Sequence, residues 1–354
     1  MKTQNDAALA LTRKIVISEA RHSNFVFSPA SISAALTMMA AGNGSGSEEL
    51  NAVYSEIATV VFADGSASGG PKISAVNGVW VEQSLPLDHS LKDLFENVFK
   101  ATFAQVDFKS KAEKVRKELN NWASAHTNGL IRDILPPGSV NSLTKQVYGN
   151  ALYFKGFWKD KFNKSLTKEE EFHLLKGKPV RVPFMRSYDR QYIGVYDGFK
   201  VLGLPYRQGR DDDGTNRKFS MYFYLPDKKD GLDNLLEEMT STPGFLDSHI
   251  PKYKVLVGDF RIPKFKFSFM FEASRALEGE VLVEMYHKAR VEIDEEGAEA
   301  AAVTFFGQKV GLSLFKPPPP KRIDFVADHP FLFLIREDKT GTVLFAGQIY
   351  DPSK

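Results

Sequence analysis

The chain has 354 residues, of which 43% are hydrophobic and 25% charged, the composition of a globular protein with a large core. Its 46 Lys and Arg nearly balance 44 Asp and Glu, giving a formal charge of +2, and no long basic run occurs, so nucleic acid and anionic membrane are poor partners. Cysteine is absent, which excludes disulfides, thiolate metal sites and a Cys nucleophile and suits a reducing compartment.

Length alone predicts two domains. The stretch "MKTQNDAALALTRKIVISEARH" has no signal-peptide h-region, because Thr12, Arg13 and Lys14 interrupt it; the expected location is therefore cytoplasmic. Ala8, Leu11 and Ile15 recur at helical spacing, with Asn5 or Asp6 positioned as a cap. No apolar run approaches a membrane span. "NFVFSPASISAALTMMAAG" reads as a strand and then a helix, with Ser28 as cap, Pro29 in the first turn and Gly42 as stop.

A flexible loop, "GNGSGSE", precedes a helix in "ELNAVYSEIATVVF" and a strand in "KISAVNGVWVEQS". "LKDLFENVFKA" is a short amphipathic helix. "KAEKVRKELNNWASAHTNGLIRDIL" is largely helical, interrupted near Gly129 and stopped by Pro136. "KQVYGNALYFKGFW" is a strand buried on both faces. "FSMYFYLP" is a strand, "GLDNLLEEM" a helix, and "DFRIPKFKFSF" one alternating strand with a wet face. "IDFVADHPFLFLIREDKTGTVLFAGQIYDP" reads as two strands about a turn at Asp338–Gly341. Helices gather early and strands late, so the class is α+β.

Motifs for catalysis are missing. Gly42–Gly46 has the glycines of a dinucleotide loop but follows a helix rather than a strand. There is no phosphate-binding loop and no nucleophile elbow. The seven histidines are scattered without metal-ligand spacing. Glu295 and Glu296 would point to opposite faces of a strand, so they read as a solvated acidic turn rather than an acid/base pair. Alternation of aromatic residues with Lys in "RIPKFKFSF" reads as core and surface positions, not a nucleic-acid sheet. Neither enzyme activity nor a cofactor or metal is expected.

One stretch, "VEIDEEGAEAAAVTFFGQKVGL" (residues 291–312), is unusually long for a connection. Ala298, Ala300, Ala302 and Thr304 share one parity, so as a strand they would present one small-residue face able to slip beneath a packed layer. Ala and Glu also favour helix. Periodicity leaves both a spare strand and a helical linker open.

The same stretch resembles the hinge of the serpin family, and of plant serpins in particular. "FVADHPFLFLI" is similar to that family's C-terminal signature, "NFVFSPASIS" to its early strand–helix motif, "NALYFKGFW" to its central strand, and "YHKARVEIDEEG" to the strand entering the hinge. The matches run in the family's order from residue 24 to the end.

The resemblance implies one domain over residues 1–354, with three β-sheets, eight to nine helices and an exposed reactive-centre loop at 295–322. It implies a monomeric suicide-substrate inhibitor whose partner is a serine protease or a papain-like cysteine protease. The alternative is a non-inhibitory binding or storage protein. The family works inside and outside cells, so the extracellular space is a second location.

By the same resemblance Glu295, Glu296, Gly297, Ala298, Glu299, Ala300, Ala301 and Ala302 form the hinge. Ser28, Ser31, Asn150 and His287 form the polar shutter beneath the main sheet, and Trp158 marks the breach where the loop first enters. Counting forward from Gly297 gives Gly311–Leu312 as the reactive bond. Counting back from Ile323 gives Leu314–Phe315, with a residue after the cut larger than relatives carry. Lys309 lies close by and suits a trypsin-like or Arg/Lys-specific protease. Two family segments are shortened here, one after "AAGNGSG", where relatives carry another helix, and one after "EASRALEG".

Overall fold

A computed structural model describes residues 2–42, 44, 48–86, 89–127, 129, 131–209, 217–273, 284–297 and 321–354. Among them are seven α-helices: α1 (Lys2–Glu19), α2 (Pro29–Gly42), α3 (Glu48–Glu56), α4 (His89–Asn97), α5 (Phe108–His126), α6 (Leu232–Ser241) and α7 (Phe245–Ser248). Seven replaces the eight to nine implied by resemblance, for the described residues.

Helix α2 starts as its sequence predicts: Ser31 N donates to Ser28 Oγ at 3.1 Å, and Pro29 occupies the first turn. Helix α1 does not. It begins at Lys2, so Asn5 and Asp6 lie within it, and Asp6 instead accepts a bond from Gly244 N.

Helix α5 also departs from expectation. It begins earlier, at Phe108, where Asp107 accepts from Ser110 N, and it bends at Lys111. It ends at His126, and residues 131–135 are not helical. Side chains explain this: Leu135 N donates to Asn120 Oδ1, while Asn120 Nδ2 and Arg116 Nη1 both donate to Leu135 O. Once those backbone groups are satisfied by α5, no helical turn is needed to pair them.

Among the described residues sixteen strands, numbered β1 to β16 in chain order, form three sheets. The largest runs in spatial order β1 (Phe25–Phe27), β16 (Val343–Ile349), β15 (Phe331–Glu337), β9 (Phe219–Pro226), β8 (Phe199–Pro205), β7 (Gln191–Tyr196) and β10 (Lys254–Val255). A four-stranded sheet has the order β14 (Ile323–Val326), β11 (Val257–Pro263), β6 (Val180–Arg186) and β5 (Lys168–Phe172). The five-stranded sheet has the order β12 (Phe265–Glu272), β13 (Glu284–Ile293), β4 (Gln146–Lys155), β2 (Lys72–Glu82) and β3 (Ala101–Val106).

Two strand readings are corrected. "DFRIPKFKFSF" is two strands in two sheets, β11 and β12, joined at Lys264. Alternation continues through the joint, which hides the change of sheet. The C-terminal stretch holds three strands, since β14 pairs in parallel with β11 before β15 and β16 form their hairpin. The main core lies around the seven-stranded sheet, where β9, β15 and β16 are buried along their whole length. A second cluster seals α5 and residues 131–135 onto one face of the five-stranded sheet through Trp80, Leu119, Val147, Ala151 and Tyr286.

Candidate functional site: a parting seam in the five-stranded sheet

The middle of the five-stranded sheet is a parallel pair. β13 and β4 pair from Glu284 with Val147 to Ala289 with Leu152. Beyond that point Tyr153–Lys155 continue with β2, and Arg290–Ile293 continue with β12. The two central strands therefore part at their C-terminal ends. A cavity lies at the parting, lined by Phe154, Gly156, Arg290, Ile293 and Gly297.

A polar network closes the paired part. His287 and Asn150 are register partners across the seam. Ser28 N donates to His287 Nε2 at 3.0 Å, so the other ring nitrogen carries the proton and donates to Asn150 Oδ1, also at 3.0 Å. Ser31 Oγ donates to the same Asn150 oxygen, and Asn150 Nδ2 donates to Asn77 Oδ1 at 2.7 Å. Asn77 in turn donates to Phe99 O. His287 is fully buried, and burial pushes its pKa down to about 3. The network is thus neutral, and it ties β2, β4 and β13 to the first turn of α2.

The chain reverses just past β13. Gly297 N donates to Asp294 O, and Glu296 N donates to Asp294 Oδ1. Gly297 has φ 98°, in the left-handed region, and a Cβ there would lie 2.4 Å from Gly156 O and 2.6 Å from Trp158 N. Only glycine fits.

This turn docks on the segment that follows β4. Trp158 N donates to Glu296 O and Phe162 N to Glu295 O, both at 2.9 Å. Trp158 Nε1 donates to Asp294 O at 2.8 Å, and the indole stacks on Tyr206 with centroids 4.6 Å apart.

Glu295 and Glu296 are not solvated. Each is 4% exposed, and each has cationic partners. Lys264 Nζ donates to Glu295 Oε2 at 2.8 Å, and Thr167 Oγ1 donates to Glu295 Oε1 at 2.6 Å. Lys164 Nζ lies 2.7 Å from Glu296 and Lys161 Nζ 4.0 Å. Burial alone would raise the Glu295 carboxyl, but the hydrogen bonds from Lys264 and Thr167 outweigh it and hold it below the ordinary glutamate range.

The structure thus brings together Ser28, Ser31, Asn150 and His287 in one network, and Glu295, Glu296, Gly297 and Trp158 in one docked turn. Ala298, Glu299, Ala300, Ala301, Ala302, Lys309, Gly311, Leu312 and Leu314 lie outside the described residues. The sequence reading missed Asn77, Lys264, Thr167, Lys161 and Lys164. Among the described residues no group of three or more His, Asp or Glu could hold a metal ion.

Three sheets, one of them five-stranded and parting between β4 and β13, define a serpin fold of the α+β class. A family model described as "Serpin (serine protease inhibitor)" matches residues 2–280 and 278–352. The chain belongs to the serpin family. Serpin-Z2 of Arabidopsis thaliana is 61% identical over 369 aligned positions, covering 100% of this chain and 90% of the relative. A second relative from that plant, named a probable non-inhibitory serpin-Z5, is 60% identical, covering 100% of this chain and 84% of the relative. The solved structure of Arabidopsis AtSerpin1 in its native stressed conformation superposes with a TM-score of 0.90 at 45% identity, covering 100% of this chain and 98% of that one.

Proposed function

We propose that this chain is a suicide-substrate inhibitor of a serine protease, acting as one domain with residues 295–322 as bait loop and hinge. The observation that carries the proposal is the parting of β4 and β13 beside a chain that has just turned back at Gly297. A strand following Gly297 would run antiparallel to both neighbours and extend the sheet from its open end. Insertion of a serpin loop is itself a standing example of strand addition and of strain released by cleavage.

The protease cuts the loop and is held as an acyl-enzyme. The freed segment then zips between β4 and β13, separating His287 from Asn150 and drawing the protease along the sheet. About a dozen new residues in the ladder, each backbone bond contributing roughly 0.5–1.5 kcal/mol net, supply on the order of ten kcal/mol. The shared parity of Ala298, Ala300 and Ala302 supports this reading, because small side chains can pass under α5 without displacing its packing. In this reading Ser28, Ser31, Asn150 and His287 act as the shutter, residues 295–302 as the hinge and Trp158 as the breach. Gly311–Leu312 is the proposed bond, with Lys309 and Leu314 as alternatives, and a papain-like cysteine protease is a second class of target.

A second reading, a non-inhibitory serpin, is favoured by one observation: the alignment with Serpin-Z2 spans 369 positions against 354 residues here, so that relative carries residues this chain lacks. Incubation with a panel of trypsin-like, chymotrypsin-like and papain-like proteases distinguishes the two. A covalent complex that survives SDS supports inhibition. Loop cleavage without a complex supports the second reading.

A further inference from the structure

The bait loop proposed above has two feet, and one short exposed segment reaches both. The described chain stops at Gly297 and resumes at Lys321. At the second foot Ile323 N donates to Leu256 O at 2.9 Å. At the first foot Lys254 Nζ pairs with Asp160 at 2.7 Å. Asp160 lies between Trp158 and Phe162, whose amides hold Glu296 and Glu295. Residues 252–256 therefore link one foot to the other.

This segment is cationic and aromatic. Lys252, Tyr253 and Lys254 are all exposed, and Tyr253 presents 80% of its surface to solvent. Lys254 Nζ also lies over the Tyr192 ring, 5.4 Å from its centroid, which fixes the lysine beside that tyrosine. Lys159, Lys321 and Arg322 are exposed on the chain at the two feet. Glu296 takes up Lys161 and Lys164, and Asp160 is the acid among these exposed residues. The next acids along the chain, Asp259 and Asp324, face Arg261 and the Asp259 amide. Positive charge is thus in surplus around the feet of the loop, although the whole chain is nearly neutral at +2. A local surplus of one sign raises the encounter rate of a partner with the opposite sign, and an exposed tyrosine is among the residues that most often anchor an interface.

We propose that Tyr253, with Lys252 and Lys254 beside it, is a docking surface for a serine protease whose active-site rim is acidic. The proposal rests on the loop being a protease target, and it adds a second point of recognition outside the loop. A protease of about 230 residues has a radius of gyration of about 17 Å, so while gripping the loop it brings its rim over the ground between the feet. The lysines steer the approach and the tyrosine ring is covered on contact.

Anionic and cationic trypsin, which share a cleavage preference and differ in the sign of their net charge, are the probes. Gly311→Arg gives both a bond to cut in the whole chain. The readout is the second-order rate at which intact chain is consumed, divided by the rate for a free peptide of residues 303–318 with the same substitution, so that intrinsic activity cancels. Anionic trypsin is expected to be favoured at least tenfold at about 0.02 M salt, and less than about threefold at 0.5 M. Lys252→Glu with Tyr253→Ala lowers the normalised rate of anionic trypsin about tenfold at low salt and leaves the thermal midpoint unchanged; Lys254 is kept, so its pairing with Asp160 is retained. Equal normalised rates for the two trypsins overturn the proposal, as does an undiminished rate in the double variant or no reaction with either enzyme. Saturable binding of a polyphosphate chain at Lys252 alongside equal rates would assign the surface to a polyanion instead. Consumption that ends in cleavage without a covalent complex counts against the inhibitor reading and leaves the rate ratio, and so the docking surface, standing.

Discussion

Lys264 Nζ donates to Glu295 Oε2 over 2.8 Å, and through that bond the joint between two sheets holds the turn that ends β13. Lys264 follows the last residue of β11 in the four-stranded sheet and precedes β12 in the five-stranded one. Its backbone is fixed by a bond to Pro183 O on β6. A rigid anchor on one sheet therefore restrains the turn beside the parted seam of the other.

Lys264→Met removes the anchor and takes from the buried Glu295 carboxylate its cationic hydrogen-bond partner, leaving Thr167 and a backbone N–H. Lys264 is one-third exposed, so solvent screening reduces the loss from that of a fully buried pair to about 1–2 kcal/mol. The thermal midpoint falls, and amide exchange at Trp158 and Phe162 accelerates about tenfold. pH acts on the same bond. The folded Glu295 titrates below its ordinary value of 4.5, so this contribution is complete above that value and fades as pH falls below it. Lys264→Met loses that part of the pH dependence.

Gly297→Ala introduces a Cβ against Gly156 O and a side chain at φ 98°. The docked turn loses about 1–3 kcal/mol. Exchange of the Trp158 and Phe162 amides rises by one to two orders of magnitude while β15 and β16 keep their protection. Retained protection at Trp158 would show that the turn accepts a side chain.

His287 supplies a pH test of the closed seam. Unfolded, its ring binds a proton below about 6.5; folded, only below about 3. Between those values the unfolded state holds more protons, so stability falls as pH drops, by at most about 1.4 kcal/mol per pH unit from this group. His287→Gln removes that slope from a denaturant titration run from pH 7 to pH 4. It also lowers stability at pH 7 by about 1–3 kcal/mol, because Ser28 N loses its acceptor and Asn150 Oδ1 is left with Ser31 alone.

The parts of this site that were legible in the sequence are those set by neighbours in the chain. Ser28 and Pro29 announce the start of α2, and Glu295 with Glu296 read as a turn. The grouping of Ser28, Ser31, Asn150 and His287 came from family likeness, since periodicity carries no sign that they meet. Asn77 sits in an ordinary strand pattern and gives no local hint of its bond to Asn150. Lys264 was masked by an alternation that runs unbroken from one sheet into the next. Glu295 and Glu296 look solvated because adjacent acids usually are; the partners of Glu295, Lys264 and Thr167, are 31 and 128 residues away, and Glu296 is paired by Lys164 and Lys161, equally remote in sequence. Long-range partners decide whether a charge can be buried, and local pattern cannot supply them.

The five-stranded sheet offers a direct gauge of strand insertion. Thr102 on β3 and Met270 on β12 are exposed and stand on its two outer strands, level with the closed part of the seam. The chain has no cysteine, so Thr102→Cys and Met270→Cys provide the only two attachment points for spin labels. Their separation is measured by pulsed electron resonance before and after a protease nick mapped by mass to residues 303–315. A lengthening of about 4.8 Å, one strand spacing, is the predicted result. An unchanged distance in fully nicked protein would contradict insertion between β4 and β13.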